Sequence, residues 1–180
     1  MKVAGRTTAI TPFYAMEVLK AANERAAQGN NVLHMEVGEP AGGAPAAVLQ
    51  AAKEALENGQ GLGYTEALGV PALRQAISDH YKTTGNLDVD PGHVVVTTGS
   101  SGGFLLAFLA AFDAGDRVAL ASPGYPAYRN IMAALGIEAV DLASDIGDRF
   151  QPTPALLDAA IEQGGKLAGL LIASPANPTG

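Results

Sequence analysis

From residue 93 onward, short uninterrupted apolar or β-branched runs alternate with stretches of helical character. The runs are His93 to Thr97, Arg117 to Ala121, Ile137 to Leu142 and Leu167 to Ala173. Between them lie helical stretches from about Ser101 to Ala114, from about Ala127 to Leu135, and from the Thr153-Pro154 cap to about Gln163. Strands covered on both faces read as continuous apolar runs, as in parallel sheets. Strand–helix–strand alternation implies right-handed βαβ crossovers. The expectation is therefore an α/β fold, a parallel-type sheet with helices on both faces.

The first ninety residues read differently. Thr11-Pro12 looks like an N-cap followed by proline at the first helical position, opening a helix that Gly29 closes after about Gln28. Val32 to Val37 is strand-like and runs into Gly38-Glu39-Pro40. Pro45 opens a helix over Ala46 to Asn58, capped by Gly59. A glycine-rich turn over 59–63 follows, and Pro71 starts a helix that ends near Gly85. Residues 1–40 are expected to form an N-terminal arm and helix, and 41–180 the first half of a larger domain. The last strand finishes seven residues before the chain does, so the sheet looks unfinished. An uncovered parallel edge exposes unpaired backbone. The expectation is a fragment, or a fold completed by something outside it.

Composition removes several function classes. The net charge is −7 with no basic cluster, which argues against nucleic acid as a partner. The longest apolar run, Phe104 to Phe112, is too short to span a membrane. The first fifteen residues lack a secretory apolar core, so a cytoplasmic protein is expected. There is no cysteine, hence no disulfide or thiolate chemistry. The three histidines (His34, His80, His93) lack metal-ligand spacing, and no metal is expected.

Five short stretches offer chemistry. Thr97-Thr98-Gly99-Ser100-Ser101-Gly102-Gly103 joins a strand candidate to a helix. Small residues there let backbone N–H groups converge on an anion, where the helix N-terminus adds about half a positive charge. The plain alternative is a serine N-cap. A dinucleotide loop is the functional rival, but its T-G-x-x-x-G-x-G pattern needs glycine where Leu105 stands. Ser122-Pro123-Gly124-Tyr125-Pro126-Ala127-Tyr128 sets a flat ring between two prolines, able to stack on a planar ligand or simply to cover a loop. Tyr64-x4-Gly69-x3-Leu73-Arg74 reads alone as a turn entering a helix. Gly38, before an acidic residue and proline, reads alone as a permissive turn. Last, Ser174-Pro175-Ala176-Asn177-Pro178-Thr179-Gly180 follows the final apolar run and presents one amide at a strand's carboxyl end. Two prolines stiffen that loop, and such strand ends are where open α/β sheets bind ligands. Its plain reading is an Asx turn.

Together and in this order, these motifs resemble class I/II aminotransferases, the fold-type I pyridoxal-phosphate enzymes. The likeness runs from about residue 11 to 180, and is far more specific as an ordered set than at any one motif. It implies transfer of an amino group between an α-amino acid and a 2-oxo acid, and a homodimer. By the same resemblance, Gly99, Ser100 and Ser101 hold the cofactor phosphate and Tyr125 lies over the pyridine ring. Asn177 bonds the phenolic oxygen, and Tyr64 reaches across the dimer to the neighbouring subunit's phosphate. Gly38 lies near the substrate carboxylate. Tyr128 and Arg74 are expected to be structural.

The resemblance also places the Schiff-base lysine, the pyridine-pairing aspartate and the substrate-clamping arginine beyond the Asn-Pro-Thr-Gly loop. The lysines here are Lys2, Lys20, Lys53, Lys82 and Lys166, none in a Ser-x-x-Lys context. No catalytic residue is therefore assignable, and these 180 residues alone are expected to be inactive. Two other functions stay open on the residues. One is a Rossmann-type nucleotide-binding oxidoreductase built on Thr98-Gly99, weakened by the lack of any Tyr-x3-Lys. The other is a non-catalytic binding remnant.

Overall fold

A computed structural model describes residues 2–38, 42–59 and 63–180. The chain folds as two compact units, Leu19–Thr98 and Met1–Val18 with Gly99–Gly180.

The Leu19–Thr98 unit holds most of α1 (Tyr14–Ala27), then α2 (Ala46–Glu57) and α3 (Pro71–Gly85). Proline at the start of α3 wastes no backbone donor, and Asn86 closes the helix in the left-handed conformation at φ 51°. The expected strand at His93 to Thr97 is not formed. Pro91–His93 is a 3₁₀ turn, Val94 after it is extended, and residues 94–97 join no strand. Their backbone groups are engaged singly instead. Arg74 of α3 donates from Nε to Pro91 O at 3.0 Å and to Val94 O at 3.1 Å, and Val96 N–H donates to Leu68 O at 3.0 Å. Arg74 also faces Glu66 at 3.6 Å, so its role here is structural. Val32 to Val37 forms no strand either. There the Glu36 carboxylate accepts from Met35 N–H at 2.8 Å and lies 2.7 Å from His34 Nδ1, local bonds that compete with a ladder.

The other unit is built on a parallel sheet of order β2-β1-β3, with β1 at Arg117–Ser122, β2 at Glu138–Ala143 and β3 at Gly169–Leu171. Arg117 pairs with Glu138, and Val118 with Gly169. Helices α4 (Gly99–Ala111), α5 (Pro126–Leu135) and α6 (Pro154–Gly164) cover both faces. Side chains alternate across a strand, and β1 shows it. Val118 and Leu120 pack with Phe108 of α4 and Met132 of α5, whereas Ala119 packs with Leu142 and Ala160 of α6. Leu120 and Met132 are fully buried, each worth about 1.5–3 kcal/mol of transfer free energy. Thr153 caps α6 as its sequence predicts, accepting from Leu156 N–H at 3.3 Å.

Thr11 does not cap α1. Its hydroxyl donates to Asn130 Oδ1 at 3.2 Å, and Asn130 Nδ2 donates to Thr11 O at 3.1 Å. At the amino ends of the strands the turns are laced together. Gly115 N–H bonds Gly136 O, Glu138 N–H bonds Asp116 O and Ala168 N–H bonds Arg117 O, each at 2.8 Å. The Arg117 guanidinium joins them by donating to Gly165 O at 2.6 Å. Among the described residues no helix is long and apolar enough to cross a membrane, and no cluster of acidic or histidine side chains could hold a metal ion.

Candidate functional site

The chain leaves β1 through α5 over one face to reach β2, then returns through α6 over the opposite face to reach β3 on the far side of β1. The two connections diverge between β1 and β3. In an open α/β sheet a ligand crevice forms at that divergence, outside the carboxyl ends of the strands.

A small notch lies there. Pro123, Tyr125 and Tyr128 line it from the chain that leaves β1, and Leu171, Ala173 and Asn177 from β3 and the chain that leaves it. Its cavity volume is about 20 Å³, room for a single water. Gly124 lets the β1 loop fold back on itself, since a Cβ there would sit 2.7 Å from Ala121 O. The peptide bonds preceding Pro123, Pro175 and Pro178 are cis.

Tyr125 is half-buried. Its ring stands edge-on to Phe13 at 5.9 Å and to Tyr128 at 5.4 Å, with interplanar angles of 85° and 81°. Tyr128 in turn meets Phe104 of α4 at 4.7 Å and belongs to the core, which is the structural role expected of it. Asn177 is exposed, and its amide offers two donors. The neighbouring Thr179 Oγ1 is buried with no hydrogen-bond partner among the described residues. No charged side chain lines the notch.

Gly99, Ser100 and Ser101 form the exposed first turn of α4, with Gly99 at φ 77°. They do not line the notch. Ser101 lies one turn before Phe104, whose ring packs on the notch residue Tyr128. The structure thus brings Tyr125 and Asn177 together, and links the glycine-serine turn to them through one aromatic contact. Tyr64 and Gly38 belong to the Leu19–Thr98 unit, and both are exposed. A Cβ at Gly38 would meet nothing within 4 Å. Glu39 and Pro40 of the Gly38 motif, and residues 60–62 of the glycine-rich turn, lie outside the described residues. Nothing local in the sequence signals Phe13 beside Tyr125 or the pairing of Thr11 with Asn130, because contacts between segments so distant in the chain leave no local pattern.

Residues 30–180 match the family described as aminotransferase class I and II. The chain belongs to this family. This aminotransferase-family chain is 53% identical over 171 residues to the valine–pyruvate aminotransferase of Mycobacterium tuberculosis, covering 95% of this chain and 43% of that one. It is 31% identical over 180 residues to the aspartate aminotransferase of Geobacillus stearothermophilus, covering 100% and 45%. Among solved structures, it aligns with an aminotransferase from Mycobacterium tuberculosis at TM-score 0.90 and 51% identity, over 99% of this chain and 45% of that one. The aspartate aminotransferase of Thermus thermophilus with maleate aligns at TM-score 0.88 and 29% identity, over 99% and 46%. The chain therefore spans less than half the length of these relatives. They give the dinucleotide reading of Thr98-Gly99 no support.

The family implies pyridoxal phosphate, and the donor set of this chain fits that molecule. An uncharged notch carries a flat ring and an amide donor, and beside it a thirteen-residue helix opens on two exposed hydroxyls suited to a phosphate.

Proposed function

We propose that the protein is a pyridoxal-phosphate-dependent aminotransferase, moving an amino group between an α-amino acid and a 2-oxo acid. The observation that carries this is the meeting of Tyr125 and Asn177 at the sheet's divergence point, in a chain whose residues 30–180 match the family. Bound pyridoxal phosphate supplies the electron sink for the reaction. In this reading the first turn of α4 binds its phosphate through the backbone N–H groups near Gly99 and the hydroxyls of Ser100 and Ser101. Tyr125 restricts the pyridine ring by stacking, which holds the reacting groups in register. Asn177 donates to the phenolic oxygen and so favours its ionised form.

Further parts of the proposal rest on the family likeness. Residues 41–180 belong to the cofactor-binding large domain, and 1–40 to an arm and helix. Tyr64 serves the partner subunit's phosphate in a cytoplasmic homodimer, which fits its full exposure. Gly38 lies near the substrate carboxylate. The 53% relative, a valine–pyruvate aminotransferase, points to a small aliphatic amino donor. The 180 residues hold no lysine in a Schiff-base context, so this chain by itself gives no turnover.

The test has two arms. Protein expressed from the natural reading frame, supplied with pyridoxal phosphate, valine and pyruvate, is expected to yield alanine and the 2-oxo acid of valine. Failure to transfer an amino group from any of a panel of amino acids overturns the proposal. In the 180-residue chain, borohydride after pyridoxal phosphate is expected to leave no stoichiometric lysine adduct, and such an adduct would refute the assignment of the cofactor-anchoring group elsewhere.

A further inference from the structure

The arm preceding α1 runs along α5 and is fixed to it at three points. Arg6 Nη1 donates to Ala134 O at 3.2 Å, near the carboxyl end of α5, where carbonyls lack helical partners and a cation meets the negative end of the dipole. Thr11 and Asn130 exchange two hydrogen bonds at 3.2 and 3.1 Å in the middle of the helix. Phe13 then reaches the residue that precedes α5 and sets its ring edge-on to Tyr125. The order along the arm matches the order along α5, read backwards. Arm and helix are therefore antiparallel and in one register, with the amide–hydroxyl pair as the pin.

This arrangement acts on the ring. A tyrosine with one edge-on neighbour still rocks about its outer bonds. Tyr125 has two, Phe13 and Tyr128, both near perpendicular to it. Tyr128 is itself held by Phe104 and the core, whereas Phe13 is carried by the arm that Thr11 pins to Asn130. The arm thus decides whether the ring is fixed on both sides. We propose that Phe13 is a positioning residue for Tyr125, and that Thr11 and Asn130 keep it in register. The inference rests on the reading of Tyr125 as the ring that faces the cofactor.

The experiment uses protein expressed from the natural reading frame with ring-labelled tyrosine, followed by NMR without any cofactor and then by titration with pyridoxal phosphate. Phe13→Leu is expected to raise the Tyr125 ring-flip rate about fivefold, in line with the loss of one aromatic pair. Thr11→Val is expected to shift it in the same direction, and Phe13→Tyr to hold it within about twofold of wild type. Phe13→Leu and Tyr125→Leu are both expected to weaken pyridoxal phosphate binding by at least about threefold. An unchanged flip rate in Phe13→Leu, with native circular dichroism, overturns this inference alone. Unchanged affinity in Tyr125→Leu overturns the cofactor reading of Tyr125, and the inference with it. If Phe13→Leu fails to fold, Thr11→Val, which leaves every aromatic in place, decides by the same two measurements.

Discussion

Gly169 of β3 lies against Phe112, the residue that follows α4, and replacing it tests how tightly that contact is set. An ideal Cβ at Gly169 would lie 2.6 Å from both Cε1 and Cζ of Phe112. Non-bonded carbons prefer about 3.5–4.0 Å, so the ring would have to retreat by about 1 Å. It has little room, because it packs on Phe108 at 6.1 Å between centroids and against the cluster around Val118 and Leu120. Overpacking of this kind costs about 1–3 kcal/mol. Removing a glycine from a strand returns about 0.5–1 kcal/mol. Gly169→Ala should therefore destabilise the sheet unit by about 1–2 kcal/mol, which for a chain of this size lowers the melting midpoint by about 2–8 °C. Thermal melts followed by circular dichroism read it directly. Trimming the ring supplies the control: in a Phe112→Leu background the same substitution should cost at least about 1 kcal/mol less, a coupling expected only for residues in contact. Equal costs in the two backgrounds, or a Gly169→Ala midpoint within about 1 °C of wild type, would show that the clash does not govern this contact.

Other outcomes follow from contacts already described. Arg117→Met removes the donors to Gly165 O and Ala160 O at the end of α6 and should cost about 2 kcal/mol in urea unfolding, with Lys recovering less than half because it lacks the guanidinium fork. Arg117 Nε also donates to the exposed Glu138 carboxylate at 3.2 Å, so Glu138→Gln should cost under about 1 kcal/mol. Thr179→Val deletes a buried hydroxyl that has no partner among the described residues, and should leave stability unchanged or raise it by up to about 1 kcal/mol; a clear loss would mean the hydroxyl is bonded. The hydrogen bond from His34, with those from nearby backbone N–H groups, holds the Glu36 carboxyl below the ordinary glutamate range. Its folded value is depressed, so its contribution is present above the unfolded value and fades as pH falls through the folded one. Carbon NMR of the Glu36 carboxyl should show its midpoint rise in His34→Ala.

What the sequence made legible is mostly local. Pro71 and Pro154 each stand at the first residue of a helix, and the β1 and β2 runs became strands within a residue of their expected bounds. The β-branched run at 93–97 and the piece at 32–37 failed for one reason. A strand is a relation between two segments, and hydrophobicity reports only one of them. Val96 found a single carbonyl on Leu68, and Met35 a neighbouring carboxylate. The site was half legible. Tyr125 and Asn177 could be named from their proline-framed loops, but their shared notch depends on β1 and β3 being neighbours, which no local pattern states. Thr11 shows the reverse error: its signature as a helix cap is sound, yet a distant amide competes for the same hydroxyl.

The laced turns at the amino ends of the strands have a consequence for how such a protein can diversify. Four hydrogen bonds lock that end, while Tyr125, Asn177 and the exposed turn around Ile146 all spring from the other. Substitutions that reshape the open rim leave the fastened base intact, so a lineage can explore new chemical preferences there without wagering its foldability.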